Sequence, residues 1–302
     1  MQISRVCLVG ATGFVGGHLL TSLSRAGFAC RVLARKPHRH RELGVLPGVE
    51  VVANTDFSAA ALAKAFSGCD AVVNLVGILN EGGGHTFHEV HVELVGQLMS
   101  ACRKAHVRRL LHMSALNASE TAGTSLYLRT KGAGENRAHS LGAPSVLVTS
   151  FRPSVIFGRD DSFINRFRAL MNIPGPLPLA CPGALFAPVF VGDVAEAFTT
   201  ALTRPSCAGR AFDLCGPRVF TLEEIVAYIA RHAGVRKRIM GLSDRLSRLQ
   251  ARMLGLVPGK PFTLDNYNSL QLDSVCKQNH LPELGITPTD MDAVVPEFLR
   301  PA

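Results

Sequence analysis

Six short apolar runs, RVCLVG, ACRVLAR, VEVVAN, DAVVNLVG, RRLLHMSA and PSVLVTSF, punctuate the first half of the chain. Each is β-branched and nearly continuous rather than alternating, the pattern of a strand covered on both faces. Between them, helical spacing of apolar residues appears near 15–26, 58–67, 86–105 and 124–141. This alternation predicts an α/β fold, a Rossmann-type doubly wound parallel sheet with its ligand at the carboxyl ends of the strands. After Arg152 proline and glycine rise, strands shorten, and helices are expected near 192–203, 221–233 and 238–255. The expected division is a dinucleotide-binding domain over 1–151 and a smaller, irregular α/β C-terminal domain over 152–302, interleaved with the first at its edges.

The last of these patterns carries a stripe. Ile239, Leu242, Leu246, Leu249, Met253 and Leu256 follow helical spacing, with Arg238, Arg245, Arg248 and Arg252 off the stripe. Two readings stay open: the stripe packs on the C-terminal domain with its arginines in water, or 236–256 meets an anionic membrane surface or a respiratory-complex partner. The longest uncharged stretch, between Arg168 and Asp193, holds Pro174, Pro176, Pro178, Pro182 and Pro188. A spanning helix would not carry them, so an irregular, partly buried loop is expected.

Composition narrows the class. With 302 residues, 47% of them hydrophobic, the chain can bury a large core. The net charge is +9, but residues 231–260 hold eight Lys or Arg against Asp244 alone, a local +7. The basicity is therefore local, and without aromatic interleaving it does not indicate nucleic acid. Eight scattered cysteines with no C-x-x-C pair predict reduced, buried thiols rather than disulfides or zinc. His85, His88 and His91 drift around a helix, so no metal site is expected. The first strand begins almost at Met1, so no signal peptide is expected. The expected location is cytoplasmic, with peripheral contact at the inner face of a membrane as the variant that the basic stripe allows.

The candidate chemistry begins at residues 10–16, GATGFVG. Gly10 turns the chain at the strand end, Gly13 admits phosphate to the backbone, and Gly16 lets the helix pack on the strand. Thr12, Phe14 and Val15 complete the loop, whose N–H groups and helix dipole face the anion. Arg35 closes the second strand where an acidic residue would select NAD; an arginine suits a 2′-phosphate, so NADP(H) is favoured. Lys36, Arg39 and Arg41 add positive field. Asp56 after the third strand is placed either to meet the adenine edge or to serve the start of the helix near Ser58. Tyr127 and Lys131, four apart, share one helical face. A neighbouring cation is expected to lower the phenol toward working pH, as a general acid/base requires.

In this order GATGFVG, Tyr127-x-x-x-Lys131, FRPSVIFG (151–158), FVGDVAEAF (190–198) and the 210–225 stretch resemble the extended short-chain dehydrogenase/reductases. NLVGIL (74–79), HMSALNA and the stretch from Phe262 to Leu299 resemble an atypical branch of that family. The branch holds the NADPH-binding accessory subunit of respiratory complex I and bacterial putative nucleoside-diphosphate-sugar epimerases. The resemblance implies that Tyr127 is the acid/base, that Lys131 holds the nicotinamide ribose, and that Phe57, Leu75, Val76, Gly77, Arg152 and Pro153 join the cofactor site. It also implies a serine after the fifth strand. Ser114 is present, but Ala115 stands where the catalytic hydroxyl belongs; Thr124 and Ser125 are substitutes or helix caps. Two functions follow. One is an NADP(H)-dependent oxidoreductase or epimerase-like enzyme for a small molecule, a sugar nucleotide near Arg152, Arg159, Arg166 and Arg168 or an apolar, quinone-like compound. The other is a non-catalytic NADPH-binding accessory or assembly protein of a respiratory or quinone-related complex.

Overall fold

The computed structural model describes residues 3–299. Seven strands, β1 (Arg5–Val9), β2 (Ala29–Ala34), β3 (Val49–Ala53), β4 (Ala71–Asn74), β5 (Arg109–Met113), β6 (Leu147–Pro153) and β7 (Ala211–Leu214), form one parallel sheet in the order β7-β6-β5-β4-β1-β2-β3. Val9 lies opposite Leu33 of β2 on one side and Asn74 of β4 on the other. The chain order reverses across this β1/β4 gap, the point at which doubly wound sheets open a crevice for ligand.

The continuous apolar runs make sense in this setting. Side chains alternate across a strand, so Val6 and Leu8 enter one core while Cys7 and Val9 enter the other. The helices before the C-terminal half are α1 (Phe14–Arg25), α2 (Ala59–Phe66), α3 (Leu94–Lys104) and α4 (Leu126–Gly142). After them come α5 (Ser162–Met171) and α6 (Val191–Thr203). Leu19 and Leu23 of α1 and Phe198 of α6 fill the first core; Phe66 of α2, Leu98 of α3 and Ala138 of α4 fill the second. The chain thus returns from its C-terminal half to supply the edge strand β7 and the covering helix α6. A third core gathers Ile164 of α5, Ile225 and Ile229 of α7 (Leu222–His232) and residues nearer the C-terminus.

Three expectations need correction. The proline-rich stretch is not one irregular loop: Leu177–Leu179, Leu185–Phe186 and Val189–Phe190 each pair with a strand from elsewhere in the chain. Its prolines suit two- and three-residue strands that need few ladder donors. No helix among the described residues is long and apolar enough to cross a membrane. The helix expected over 238–255 starts later. Ile239–Gly241 is a strand parallel to Leu177–Leu179, and α8 runs over Asp244–Leu254 behind the N-cap Ser243. Pairing with the 177–179 backbone overrides the stripe at its first positions, where a Cβ on Gly241 would stand 3.0 Å from Pro182.

The cysteines are the third correction. Cys215 and Cys276 form a disulfide across 61 residues, while Cys7, Cys30, Cys69, Cys102 and Cys207 are free and buried and Cys181 is free and half-buried. The pairing depends on a tertiary contact. The chain around 279 runs back along the end of β7, where Asn279 Nδ2 donates to the Cys215 carbonyl at 2.7 Å and the Cys215 N–H donates to Asn279 Oδ1 at 3.2 Å.

Candidate active site

The fingerprint loop is built as its glycines require. Gly10 sits at φ +87°, and a Cβ there would come 2.9 Å from the Val76 nitrogen at the end of β4. At Gly16 a Cβ would lie 2.3 Å from the Ala11 backbone, so α1 rests directly on the loop. Gly13 is different: it is exposed, and a Cβ would meet only the Gly10 carbonyl, 3.6 Å away. Its small size leaves space in front of α1, whose N-terminus takes no side-chain cap. Thr12, Gly13, Phe14, His18 and Asp160 line a cleft of about 440 Å³ there. Uncapped N–H groups on a bare glycine turn fit a pyrophosphate.

Arg35 follows β2 directly, is exposed, and makes no ion pair among the described residues; Lys36, Arg39 and Arg41 are also exposed. Asp56 turns inward on its own chain instead. It accepts from the Ser58 N–H at 2.7 Å and the Ser58 hydroxyl at 3.0 Å, which holds the carboxyl below its usual range. Ser58 then caps α2 by accepting from the Ala61 N–H. Phe57 packs half-buried on the second core beside Val76, and Leu75 packs on the first.

Lys131 is almost fully buried, 4% exposed, and its Nζ donates to the Met113 carbonyl at 2.5 Å. A Cβ on Gly77 would stand 3.9 Å from that Nζ and 3.7 Å from His91 Nε2, so the ends of β4 and β5 meet at the lysine. Burial lowers the ammonium to about 8, against the raising influence of Glu135. Ser114 follows β5 directly, and its buried Oγ has no hydrogen-bond partner among the described residues. A buried hydroxyl left unsatisfied is costly unless a ligand group completes it. With the glycine cradle, this orphan fits a bound dinucleotide or substrate. Ala115, also buried, brings no hydroxyl. Thr124 donates to the Asn268 carbonyl at 2.7 Å and Ser125 caps α4 through the Leu128 N–H, so both serve the fold.

Tyr127 departs from expectation. Its phenol is pushed up to about 12, by burial first and by the Asp265 carboxylate second. The helical spacing does put Lys131 on the same face, but the lysine points its charge at the Met113 carbonyl and does not bring the phenol down. The local builder is Asp265, which sequence reasoning missed. It stands in α9 (Leu264–Ser269), accepts from the Leu126 N–H at 2.6 Å and the Tyr127 N–H at 3.1 Å, and so caps α4 from 138 residues away. The tyrosine ring also packs edge-on against Phe87 and His91, with centroids 5.9 and 5.6 Å apart. Burial and Lys131 hold His91 down to about 3. As a neutral ring it accepts from the Ile78 N–H at Nε2, 3.2 Å away, and its Nδ1 sits 3.0 Å from Thr130 Oγ1. The ring thereby ties the β4 loop to the helix that carries Tyr127 and Lys131.

The remaining candidates lie on β6. Arg152 gives Nε and Nη2 to Glu135, with contacts of 2.5–3.0 Å, and leaves Nη1 3.8 Å from Asp213. Its guanidinium is committed to α4 and β7 rather than free for a ligand. Pro153 is buried and its carbonyl accepts from the Leu116 N–H.

A parallel doubly wound sheet, a glycine-cradled helix N-terminus at its switch point and a Tyr-Lys helix beside it define an NAD(P)-binding protein of the short-chain dehydrogenase/reductase type. A model of an NAD(P)H-binding family matches residues 10–141. The chain is 30% identical over 306 residues to the mouse (Mus musculus) protein "NADH dehydrogenase (ubiquinone) 1 alpha subcomplex subunit 9, mitochondrial", covering 96% of this chain and 78% of that one. It is also 30% identical over 243 residues to a ceramide reductase of Caulobacter vibrioides, covering 79% of this chain and 74% of the relative. Among solved structures, an Escherichia coli NADPH-dependent quinone oxidoreductase complexed with NADPH superposes with a TM-score of 0.78 at 18% identity, covering 97% of this chain and 99% of that one. The chain belongs to the atypical extended short-chain dehydrogenase/reductases, in the branch that holds the complex I alpha subcomplex subunit 9.

Proposed function

We propose that the protein binds NADP(H) and reduces the carbonyl of an apolar small molecule, with Tyr127 as proton donor. The observation that carries this reading is the helix that presents Tyr127 and the buried Lys131 beside the unpartnered Ser114 hydroxyl and the glycine cradle. A phenol at its ordinary value near 10 is protonated throughout the neutral range and stays so when raised. Tyr127 therefore starts with a proton to give to a forming alkoxide, as a weaker acid than a free tyrosine. That state does not suit a base that must start as phenolate. When bound, the reduced nicotinamide supplies the hydride. Tyr127 would give its proton to the carbonyl oxygen, Lys131 would hold the ribose, and Ser114 Oγ would offer one neutral donor at the end of β5. Arg35 would read the 2′-phosphate, and the open turn at Gly13 before the uncapped start of α1 would admit the pyrophosphate. The lack of a hydroxyl at Ala115 predicts slow chemistry, since one absent oxyanion donor costs about 10²–10³ in rate.

The nearby guanidinium groups favour an apolar substrate over a sugar nucleotide. Arg152 is charge-paired with Glu135, and Arg166 and Arg168 each spend one donor on a backbone carbonyl, of Pro261 and Phe298, which leaves Arg159 as the one of the four with no side-chain partner among the described residues. The accessory-protein reading has its own support in Ala115 and in relatives named as complex I subunits. It places the chain on the cytoplasmic side of a respiratory assembly, with 236–256 toward the membrane or the partner.

NADPH oxidation, followed with a panel of apolar ketones and quinones and a panel of sugar nucleotides, separates the readings. Turnover on the apolar panel should fall about 10²-fold or more in Tyr127→Phe, with NADPH affinity unchanged. Equal turnover in the variant removes Tyr127 from the chemistry. Tightly held NADPH with no wild-type turnover on any panel member sinks the enzyme reading for these substrate classes and leaves the accessory one.

A further inference from the structure

Helix α8 buries the face opposite to its apolar stripe. Ser247 and Ala251 are fully buried, whereas Leu246, Leu249 and Met253 are 51%, 51% and 62% exposed. At 3.6 residues per turn those three lie within about 60° of arc, and Arg245, Arg248 and Arg252 fill the adjoining arc. The apolar strip continues past the helix through Leu256, 88% exposed, and Val257, 44% exposed. The three arginines are exposed and make no ion pair or side-chain hydrogen bond among the described residues. Exposed leucines scattered singly are ordinary; five on one short segment mark an interaction surface.

We propose that α8 and the turn after it dock the protein on an anionic lipid bilayer. Leu246, Leu249, Met253, Leu256 and Val257 enter the boundary between headgroups and acyl chains, and Arg245, Arg248 and Arg252 pair with lipid phosphates. A helix with one apolar arc and guanidinium groups along its flank has the form of an interfacial element. Charge complementarity selects the occupant. The local +7 over 231–260 repels the same surface of a second copy, and attracts a surface dense in phosphates.

The surface is tied to the site. Tyr267 of α9 donates its hydroxyl to Asp244 at the start of α8, with a contact of 2.5 Å, and Asp265 of the same α9 caps the helix of Tyr127. Lys260, just beyond the strip, donates to the Glu81 carbonyl in the loop after β4. Docking therefore anchors the wall of the site to the bilayer, whether or not Tyr127 transfers a proton.

Flotation with vesicles of phosphatidylcholine and phosphatidylglycerol tests the inference on the full chain. The wild type should float with the anionic vesicles and be released from pure phosphatidylcholine. The triple change Leu246→Ser, Leu249→Ser and Met253→Ser should weaken binding at least about tenfold, with NADPH affinity kept as the control for folding. The chain contains no tryptophan, so Leu249→Trp supplies a single reporter whose emission should shift to the blue on anionic vesicles. A wild type that stays in solution, a triple variant that floats equally well, or an unshifted tryptophan overturns the proposal. Capture by an acidic protein without binding to vesicles also overturns it, in favour of a protein partner.

Discussion

The protonated state of Tyr127 gives the sharpest test of the proposed chemistry, because the chain contains three tyrosines and no tryptophan. Tyrosinate absorbance near 295 nm then reports these residues alone. An ordinary phenol titrates near 10, so an unfolded chain at pH 10 should show about half of its tyrosines ionised. With Tyr127 near 12, about one part in a hundred of it should be ionised at pH 10. Tyr267 and Tyr228 are also raised, the first by its hydrogen bond to Asp244 and the second by burial, so the native protein should show less tyrosinate at that pH than the unfolded chain. The shift of two units corresponds to roughly 3 kcal/mol in favour of the protonated phenol. Asp265→Asn removes the smaller of the two causes and keeps the burial. Tyr127 should move down yet remain above 10, while Asp265→Ala also costs about 0.5–2 kcal/mol through the lost cap. Difference spectra of native and urea-unfolded protein at pH 10, with Tyr127→Phe to assign the signal, make the measurement. A native tyrosinate at pH 10 that disappears in Tyr127→Phe would show that the phenol is not raised, and the same signal at pH 7 would show that the site holds a phenolate and would refute the proton-donor reading.

Further outcomes follow from the same geometry. Gly16→Ala pushes a methyl to within 2.3 Å of the Ala11 backbone and should cost about 1–3 kcal/mol, read as a fall in Tm of several degrees, with NADPH affinity falling alongside. Lys131 is lowered in the folded state, so between about pH 8 and its unfolded value of 10.5 the unfolded chain binds the extra proton. Wild-type stability should therefore rise through that window relative to Lys131→Met, whereas Tyr127, being raised, subtracts stability as pH climbs from 10 toward 12. NADPH affinity should decline above about pH 8 in the wild type as the ammonium is lost, and a flat profile in that range would deny Lys131 its ribose-binding role.

How much of this was legible in the sequence depends on how local each signal is. The strands β1 to β6 could be read from continuous apolar runs because both faces of a parallel sheet are covered, and Gly10 and Gly16 because each solves a steric problem within its own loop. Tyr127 and Lys131 were visible as a spacing, but their electrostatics were not. The phenol is set by burial and then by Asp265, 138 residues away, and the ammonium by burial against Glu135, while its hydrogen bond runs to the Met113 carbonyl 18 residues away. The Cys215–Cys276 bridge was hidden for the same reason. Helix α8 shows another limit: its apolar stripe was plain in the sequence, but periodicity cannot say which face the fold buries, and here the small residues Ser247 and Ala251 went inward.

The central claim is that the cradle at the β1/β4 switch point holds NADP(H) and reads it through Arg35. Calorimetric titration of the purified, nucleotide-free protein with NADPH and NADH, wild type against Arg35→Ala, tests it directly. The wild type should bind NADPH more tightly, and Arg35→Ala should lose about ten- to a hundredfold on NADPH with little change on NADH, the worth of a charge-assisted hydrogen bond to the 2′-phosphate. Equal losses on both nucleotides, or a wild type that binds neither, would contradict it.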